Sequence, residues 1–191
     1  MLFSRHRKVG GSTLPRGTIS FFKLCVLFLI TEIHLFNMFN ILKATRKDYK
    51  ELYSLNKEWF DEKISPKTID WSENQFFRQL DRSTTYVAKD KDGIIGFIMM
   101  KSRIAKEDDA MHNVIKGEKY IDLDSMFVKR KFRNKGVGTK LLKHAIKEVK
   151  RVGYKRIILS ADSKKMNKLV KFYEKQGFET LFVRLMLETR K

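Results

Sequence analysis

Residues 127–142 read FVKRKFRNKGVGTKLL, and this stretch constrains the fold more than any other part of the chain. It begins as the apolar end of a strand, passes through five basic residues in seven, and reaches the glycines Gly136 and Gly138. Beyond them, apolar residues recur at the spacing of an amphipathic helix, with lysines between them. The stretch therefore predicts a strand, a glycine-containing turn and the N-terminus of a helix.

The chemistry of this turn favours a bound anion. Without a β-carbon, Gly136 and Gly138 allow a positive φ and the close approach of a ligand to main-chain N–H groups. The first turn of a helix has N–H groups without intrahelical partners, and its dipole favours negative charge. Arg133 and Lys135 would add full charges, and the Thr139 hydroxyl would donate a further hydrogen bond. The turn alone leaves open the alternative of an ordinary strand-to-helix connection with a solvated basic surface.

A second pattern follows a predicted strand at residues 156–160. Residues 167–178 read NKLVKFYEKQGF, and the two patterns in this order resemble the GNAT superfamily of N-acyltransferases, which use acetyl-CoA. The pyrophosphate motif of that family, Q/R-x-x-G-x-G/A, is matched by Arg133, Gly136 and Gly138. Its next motif, N-x-x-A-x-x-F/L-Y-x-K/R-x-G-F, has Val170 in place of the small Ala and is otherwise matched by Asn167, Phe172, Tyr173, Lys175, Gly177 and Phe178. The resemblance covers residues 39–191.

The resemblance implies an α/β protein with the GNAT fold, whose mixed and mostly antiparallel central sheet of about six strands is flanked by helices and contains a splayed central strand pair. The hydrophobic pattern independently predicts an alternation of strands and helices. The predicted strands lie at residues 39–44, 84–88, 94–101, 120–128, 156–160 and 179–188. The predicted helices begin at Thr45, near residue 68 (running to 80, with Ile69 inward), after Gly138 and near Asn167. Residues 102–119 are predicted to form a mobile loop.

In GNAT proteins the central strand bulges away from the next strand, and the pantetheine arm of the cofactor enters the gap. The resemblance implies that main-chain groups at the end of this strand bind that arm and that one N–H polarises the thioester carbonyl. It assigns the pyrophosphate to the glycine loop and the pantetheine amide to Asn167, although an Asn there also suits a helix N-cap. The implied cofactor-binding residues are Met126, Phe127, Val128, Arg133, Asn134, Lys135, Gly136, Val137, Gly138, Thr139 and Asn167.

Acyl transfer to an amine requires a proton acceptor for the amine and a proton donor for the departing thiolate. Tyr173 occupies the position of the family's acid, and the alternative is a packing tyrosine beside Phe172. Asp122 and Asp124 alternate with Leu123 on the predicted central strand, so both are expected on one face and are candidates for the base. Their alternative role is to offset the local positive charge.

Other parts of the site are less specified. Glu73 and Glu118 are weaker candidates for the base. The acceptor wall is predicted at residues 59–71, which include Phe60, Asp61 and Glu62. Four histidines and one cysteine, Cys25, form no metal-ligand pattern, so no metal is expected. A single cysteine also excludes an internal disulfide.

The chain has 41 basic and 22 acidic residues, which gives a net charge of +19. Between residues 129 and 156 there are 12 Lys or Arg and one acid, Glu148. Such a surface attracts nucleic acid and anionic lipid as well as CoA, so the charge alone does not discriminate between them. The order of the two motifs favours CoA.

The first 37 residues lie outside the pattern of the fold. Their uninterrupted apolar run, residues 24–30, is well short of the ~20 residues that a spanning helix needs. No small-residue cleavage site of a secretory signal follows it. We expect residues 1–37 to be a mis-assigned extension or an interfacial helix, and the acetyltransferase domain to comprise residues 38–191.

These inferences together predict an acetyl-CoA-dependent N-acetyltransferase that moves an acetyl group to a primary amine by direct transfer in a ternary complex. We expect a cytoplasmic monomer or homodimer. One alternative is a non-catalytic GNAT-like domain that binds CoA or nucleic acid. Another is a membrane-associated acyltransferase that uses residues 1–37. No motif identifies the acceptor amine.

Overall fold

The computed structural model describes residues 39–63, 69–161 and 166–182 of the chain. Within these ranges the strands are β1 Asn40–Lys43, β2 Thr84–Asp90, β3 Gly93–Ile104, β4 Lys119–Val128 and β5 Ile157–Ile158. The helices are α1 Tyr49–Asp61, α2 Glu73–Asp81, α3 Val137–Val152 and α4 Met166–Glu174. The predicted α/β class is confirmed.

The strands form one mixed sheet in the order β1-β2-β3-β4-β5. Neighbours from β1 to β4 are antiparallel, and only the β4–β5 pair is parallel. The described residues contain five strands rather than the expected six or so. Of the predicted last strand, residues 179–182 are not in a strand, and residues 183–188 lie outside the described ranges.

A β-bulge in the central strand changes which side chains face each side of the sheet. Met99 pairs with Ser125 and Met100 pairs with Leu123, so Asp124 is an extra residue in β4. Before the bulge, Leu123 faces α3; after it, Phe127 faces the opposite side. The bulge therefore shifts the alternation, so that odd-numbered residues face the α3/α4 side before it and the opposite side after it.

The helices cover the two sides of the sheet in two layers. The α3/α4 layer consists of α3, α4 and the sheet side that they cover, and the α1/α2 layer is the corresponding half on the other side. Buried helical residues of the α3/α4 layer are Val137, Leu141, Leu142, Ala145, Val149 and Tyr173. Those of the α1/α2 layer are Leu52, Leu55, Phe76 and Leu80. Each fully buried leucine stabilises the fold by roughly 1.5–3 kcal/mol.

Local signals fix the starts of the two helices of the α1/α2 layer. Thr45 and Asp48 form a capping box around a single 3-10 turn, Arg46–Asp48, and α1 follows directly. Ser72 caps α2 by accepting a hydrogen bond from the Gln75 main-chain N–H at 3.4 Å. The predicted start of α2 near residue 68 is therefore wrong, because the cap lies at residue 72.

The structure corrects three further expectations. Ile69 was expected to face inward, but it precedes the cap of α2 and is 57% exposed. β3 continues to Ile104, so the loop before β4 is shorter than residues 102–119. β5 comprises only Ile157–Ile158 of the predicted residues 156–160.

Candidate active site

The edge of β4 that faces β5 is open over most of its length. The two strands pair only through Ile121 with Ile157 and Asp122 with Ile158. Among the described strands, none pairs with the rest of this edge, residues 123–128. The predicted splayed central pair is confirmed, and it leaves main-chain groups of Met126, Phe127 and Val128 without a neighbouring strand on that side.

The glycine loop presents a row of main-chain donors at the end of this strand. Asn134 and Gly136 have φ values of 59° and 76°, the left-handed conformation that turns successive N–H groups toward one side. In the described part of the chain, no protein acceptor bonds the N–H groups of residues 134–139. The first N–H with an acceptor is that of Lys140, which donates to the Gly136 carbonyl at 2.9 Å. The loop and the first turn of α3 therefore form an anion-binding concavity.

Gly138 does not use the positive φ that a glycine allows. It lies inside α3 and, unlike Gly136, has no positive φ. A β-carbon at Gly138 would lie 3.8 Å from the Phe172 ring and 3.8 Å from the Val128 side chain, which is ordinary contact distance. The expectation of a left-handed Gly138 is wrong; this glycine lies where the end of β4, the start of α3 and α4 meet.

The Arg133 guanidinium bonds to protein atoms. Its Nε donates to the Val128 carbonyl at 2.8 Å, and its Nη2 lies 2.7 Å from the Glu62 carboxylate. Its Cζ is 5.2 Å from the centroid of the Phe127 ring. The side chain expected to carry charge to a phosphate thus links the end of β4 to Glu62, the C-cap residue of α1.

The remaining predicted loop residues are arranged around these contacts. Lys135 places its Nζ 5.8 Å from the centroid of the Phe132 ring and is exposed. Val137 is buried in the α3/α4 layer, and Thr139 is half-buried in the first turn of α3. Val137 therefore anchors the helix, while Lys135 and Thr139 remain partly accessible beside the concavity.

Tyr173 lies in the core of the α3/α4 layer and is 9% exposed. Its ring packs edge-on against Phe172 and Phe178, with centroid distances of 5.1 and 5.5 Å. Burial raises the pKa of Tyr173 to about 12, because the phenolate would lose its hydration there. Its hydroxyl makes no hydrogen bond within the described ranges, so it is a neutral phenol with an uncommitted proton.

Asn167 lies in the first turn of α4 and is exposed. The described helix already begins at Met166, so Asn167 is inside the helix rather than at the position of an N-cap. The residues before it, 162–165, lie outside the described ranges. Its predicted role toward the pantetheine amide stays a prediction.

Asp122 and Asp124 each face a cation of β3. The Asp124 carboxylate lies 2.5 Å from Lys101 Nζ, which also donates to Gln79 in α2 at 2.9 Å. The Asp122 carboxylate lies 3.4 Å from an Arg103 nitrogen. The two side chains are similarly exposed, 27% for Asp124 at the bulge and 33% for Asp122. Both carboxylates therefore already offset local positive charge.

The weaker candidates for the base have structural partners. Glu118 accepts a hydrogen bond from Arg156 Nε at 2.6 Å, and this bond lowers the pKa of Glu118. Glu73 is the first residue of α2, where its charge interacts favourably with the helix dipole. Neither residue needs a catalytic role to explain its position.

A surface cleft of about 760 Å³ opens beside α1, on the side predicted to receive the acceptor. Trp59, at the start of the predicted wall, stacks on Phe127 with a centroid distance of 5.9 Å. Residues 64–68 of that wall lie outside the described ranges. The cleft is lined by Tyr53, Ser54, Lys57, Glu58, Asp61, Glu62 and Arg130.

Sequence reasoning did not find the Glu62–Arg133 pair. These residues are 71 positions apart, and no local pattern joins them. The only available signal was the placement of Glu62 in the predicted acceptor wall and of Arg133 in the glycine motif. The pair is the direct link between the α1/α2 layer and the anion-binding loop.

Metal and membrane functions have no support in the described residues. In residues 39–63, 69–161 and 166–182, no group of three or more His, Cys, Asp or Glu is arranged to hold a metal ion. In the same ranges, no helix combines the length and the apolar composition needed to cross a bilayer. Residues 1–37, on which the membrane alternative depends, lie outside them.

The sequence profile of the acetyltransferase (GNAT) family matches residues 46–178. The chain belongs to this family, as the two motifs predicted. No sequence among the curated proteins matches the chain.

Solved structures with a similar fold agree. One is the ribosomal-protein-alanine N-acetyltransferase from Brucella melitensis biovar Abortus 2308, with 14% identity, a TM-score of 0.61, and coverage of 80% of this chain and 99% of that chain. Another is a predicted acetyltransferase with acetyl-CoA from Clostridium acetobutylicum, with 24% identity, a TM-score of 0.60, and coverage of 79% and 96%. A third is an aminoglycoside N-acetyltransferase in complex with CoA, with 16% identity, a TM-score of 0.59, and coverage of 80% and 95%. At these identities the likeness establishes the fold.

Proposed function

We propose that this acetyltransferase moves an acetyl group from acetyl-CoA to a primary amine by direct transfer in a ternary complex. One observation carries the proposal: the open edge of β4 leads to the N–H groups of residues 134–139, and α4, which carries Tyr173, approaches the start of α3 through Phe172 at Gly138. An extended acyl donor with a pyrophosphate at one end and a thioester at the other fits such an arrangement. Acetyl-CoA has this chemistry.

The loop would hold the donor through its main chain. The N–H groups of residues 134–139 are without protein acceptors in the described structure, so they are available for pyrophosphate oxygens. Met126, Phe127 and Val128 would bond the pantetheine arm along the open edge of β4. One of their N–H groups would stabilise the charge that develops on the carbonyl oxygen. Arg133 would keep the loop in register with β4 through the Val128 carbonyl.

Tyr173 would supply the proton for the leaving group. As the amine nitrogen bonds to the acetyl carbon, the nitrogen loses a proton, the carbon–sulfur bond breaks and the thiolate takes a proton from Tyr173, which the proton from nitrogen then restores. A buried phenol with a pKa of about 12 keeps its proton through the neutral and alkaline range, so the acid form would be present when the thiolate leaves. The absence of a competing hydrogen bond within the described residues supports this role.

The acceptor amine must lose a proton before it attacks, since an alkyl amine with a pKa near ~10 is mostly protonated at neutral pH. We propose that the proton leaves through Asp124 or Asp122, directly or through water. Asp124 is the better placed, because it lies at the bulge next to the open part of β4. The cleft beside α1 would admit the acceptor, and its acidic residues Glu58, Asp61 and Glu62 suit an amine that arrives protonated.

A matched pair of glycine substitutions tests the cofactor site. Gly136 and Gly153 stand at the two ends of α3, both with positive φ, 76° and 91°. Replacing either with alanine imposes a similar backbone cost of about 1–2 kcal/mol. Only Gly136→Ala alters the N–H groups of the loop, so we expect acetyl-CoA affinity by calorimetry to fall roughly 10- to 100-fold in that variant. Gly153→Ala should bind like the wild type.

The outcomes separate binding from catalysis. Thiol release with a panel of primary amines should accompany acetyl-CoA binding by the wild type. If calorimetry detects no binding of acetyl-CoA to the wild type, the proposed acyl donor is wrong. Equal loss of affinity in both glycine variants would instead show that the loop is not the binding site. Tight binding without thiol release for any amine would leave a CoA-binding domain that is not an enzyme.

A further inference from the structure

Two rows of lysines run along the outer surface of the α3/α4 layer. On α3, Lys143, Lys147 and Lys150 are exposed and follow one another at helical spacing, opposite the buried side of the helix. On α4 and the turn after it, Lys168, Lys171 and Lys175 are exposed in the same way. Both helices pack on the same side of the sheet, so the two rows share one surface. We call this surface the lysine face.

The ion pairs of the described residues do not neutralise the lysine face. Nine ion pairs join described residues, and only Glu148–Arg151 involves α3, while none involves α4. Throughout the described ranges, no carboxylate lies within 4.0 Å of any of the six lysines of the face. The two helices carry only two acids, Glu148 and Glu174, beside these lysines. Like charges held in two rows repel one another, so a polyanion that neutralises them would bind favourably.

The apolar composition of these helices argues against a membrane as that polyanion. Helices that lie on a bilayer insert an apolar side into it. The apolar side of α3 is used in the core, where Leu141, Leu142 and Ala145 are 0% exposed. The larger apolar side chains left exposed on the two helices, Val152 and Met166, stand singly at helix ends. Contact with lipid would therefore be electrostatic only.

The chemistry of the face also argues against a protein partner. The centres of protein–protein interfaces are depleted in lysine and enriched in aromatic residues and arginine, which bury well. The rows consist of lysines, which are strongly hydrated and suit phosphate as point charges. On an α-helix, successive members of each row are about one 5.4 Å turn apart. Each row is therefore a line of positive charges that can face the line of negative charges along a phosphate backbone.

We propose that the lysine face binds the phosphodiester backbone of a nucleic acid duplex. The binding is through phosphates, and phosphate contacts carry no sequence information. It is separate from the proposed cofactor site, since Lys143 to Lys150 lie about 10 to 20 Å along α3 from Gly136. The acetyltransferase would thereby work while attached to a nucleic acid.

Charge-matched variants test the proposal. One variant carries Lys143→Gln, Lys147→Gln and Lys150→Gln on the lysine face. The other carries Lys47→Gln, Lys50→Gln and Lys91→Gln, three lysines that are exposed outside it and also lack a carboxylate within 4.0 Å. The two have the same net charge. Binding is measured by fluorescence anisotropy with a labelled RNA hairpin and with the DNA hairpin of the same sequence, over a range of salt concentrations and with saturating acetyl-CoA.

The lysine-face variant should bind the preferred hairpin roughly 10- to 100-fold more weakly near 0.1 M salt, with a log–log salt slope shallower by about 2 to 3. The control variant should change much less, and both should retain acetyl-CoA binding by calorimetry, which confirms folding. The relative affinity of the RNA and DNA hairpins identifies which duplex the face prefers.

Three results would overturn the proposal without touching the proposed enzyme. Equal weakening in both variants would mean that net charge alone drives binding. Loss of hairpin binding when acetyl-CoA is added would mean that the nucleic acid occupies the cofactor site. Binding to phosphatidylserine vesicles that depends on the three lysines, with no such dependence for either hairpin, would make the face a lipid-binding surface.

Discussion

The helices of the two layers of this domain carry net charges of opposite sign. Helices α3 and α4 carry seven basic and two acidic residues, whereas α1 and α2 carry three and five. On the helices of the α3/α4 layer basic residues outnumber acidic ones, and on those of the α1/α2 layer acidic residues outnumber basic ones. Among the described helices, the positive charge is therefore concentrated on one side of the sheet.

This difference in charge suits the two sides of the sheet to different functions. The α3/α4 layer presents N–H groups, lysines and the buried phenol of Tyr173, which are the groups that an anionic acyl donor requires. The α1/α2 layer presents a more acidic surface with a cleft whose lining includes three acidic residues. Among the ion pairs of the described residues, Arg133–Glu62 alone connects the end of β4 and the glycine loop with a helix of the α1/α2 layer. Variants in each layer test this division of roles.

The largest effect is expected from Tyr173→Phe, inside the α3/α4 layer. Losing a general acid should lower kcat by about 10²- to 10⁴-fold, while acetyl-CoA affinity stays near that of the wild type. Since the pKa of Tyr173 is about 12, kcat of the wild type should not decline at alkaline pH below about pH 10 from loss of this proton. Steady-state kinetics and calorimetry measure both quantities.

Tyr154→Phe is the matched control for that change. Tyr154 packs against the same core, and its hydroxyl bonds the Ser102 hydroxyl at 2.6 Å, so its loss should be structural only. If the two variants have the same kcat, Tyr173 is a packing residue and the α3/α4 layer contributes binding without acid catalysis.

A smaller effect is expected from Glu62→Gln, at the link between the layers. The amide keeps the size of the carboxylate but removes the charge that holds the Arg133 guanidinium, whose side chain is 30% exposed. We expect the KM for acetyl-CoA to rise by up to about tenfold with little change in kcat, because the loop is held less firmly against β4. Glu58→Gln, in the same cleft, should leave the KM for acetyl-CoA unchanged. A changed kcat with an unchanged KM would mean that Glu62 acts on the acceptor rather than on the loop.

Much of this arrangement was readable in the sequence because its signals are local. The hairpin of β2 and β3 follows from two apolar runs around Lys91, Asp92 and Gly93, and the glycine loop combines a strand end with helical periodicity. A local signal was also overlooked: Ser72 followed by Gln75 is a capping box, and it would have placed the start of α2 correctly.

Other features depend on contacts between distant residues. The bulge at Asp124 exists because β3 and β4 change register between Met99 and Met100, which no property of β4 alone reveals. β5 is two residues long because β4 diverges from it, although the sequence around it is apolar. The Arg133–Glu62 pair joins residues 71 positions apart. Residue spacing relates positions that are close in the sequence. It therefore could not predict these contacts between distant residues.

The smallest effect is expected from Asp48→Asn, which lies wholly within the α1/α2 layer and should alter stability without altering catalysis. Asp48 is 7% exposed. Burial alone would raise the pKa of its carboxyl, but bonds from Lys89 and Thr45 outweigh burial and lower this pKa below the ordinary value of 3.8. The stabilisation is therefore fully present above about pH 4 and is lost as the pH falls through the lowered pKa.

The variant should unfold with a free energy about 1–2 kcal/mol lower at pH 7, and the difference should shrink below about pH 4, in denaturant titrations at several pH values. Asp81→Asn is the control, because the Arg46–Asp81 pair has side chains 83% and 41% exposed and should contribute under ~1 kcal/mol. The kcat of Asp48→Asn could also fall by more than the loss of folded protein explains. Such a result would mean that charges of the α1/α2 layer act in catalysis. The division between a structural layer and a cofactor layer would then fail on the α1/α2 side.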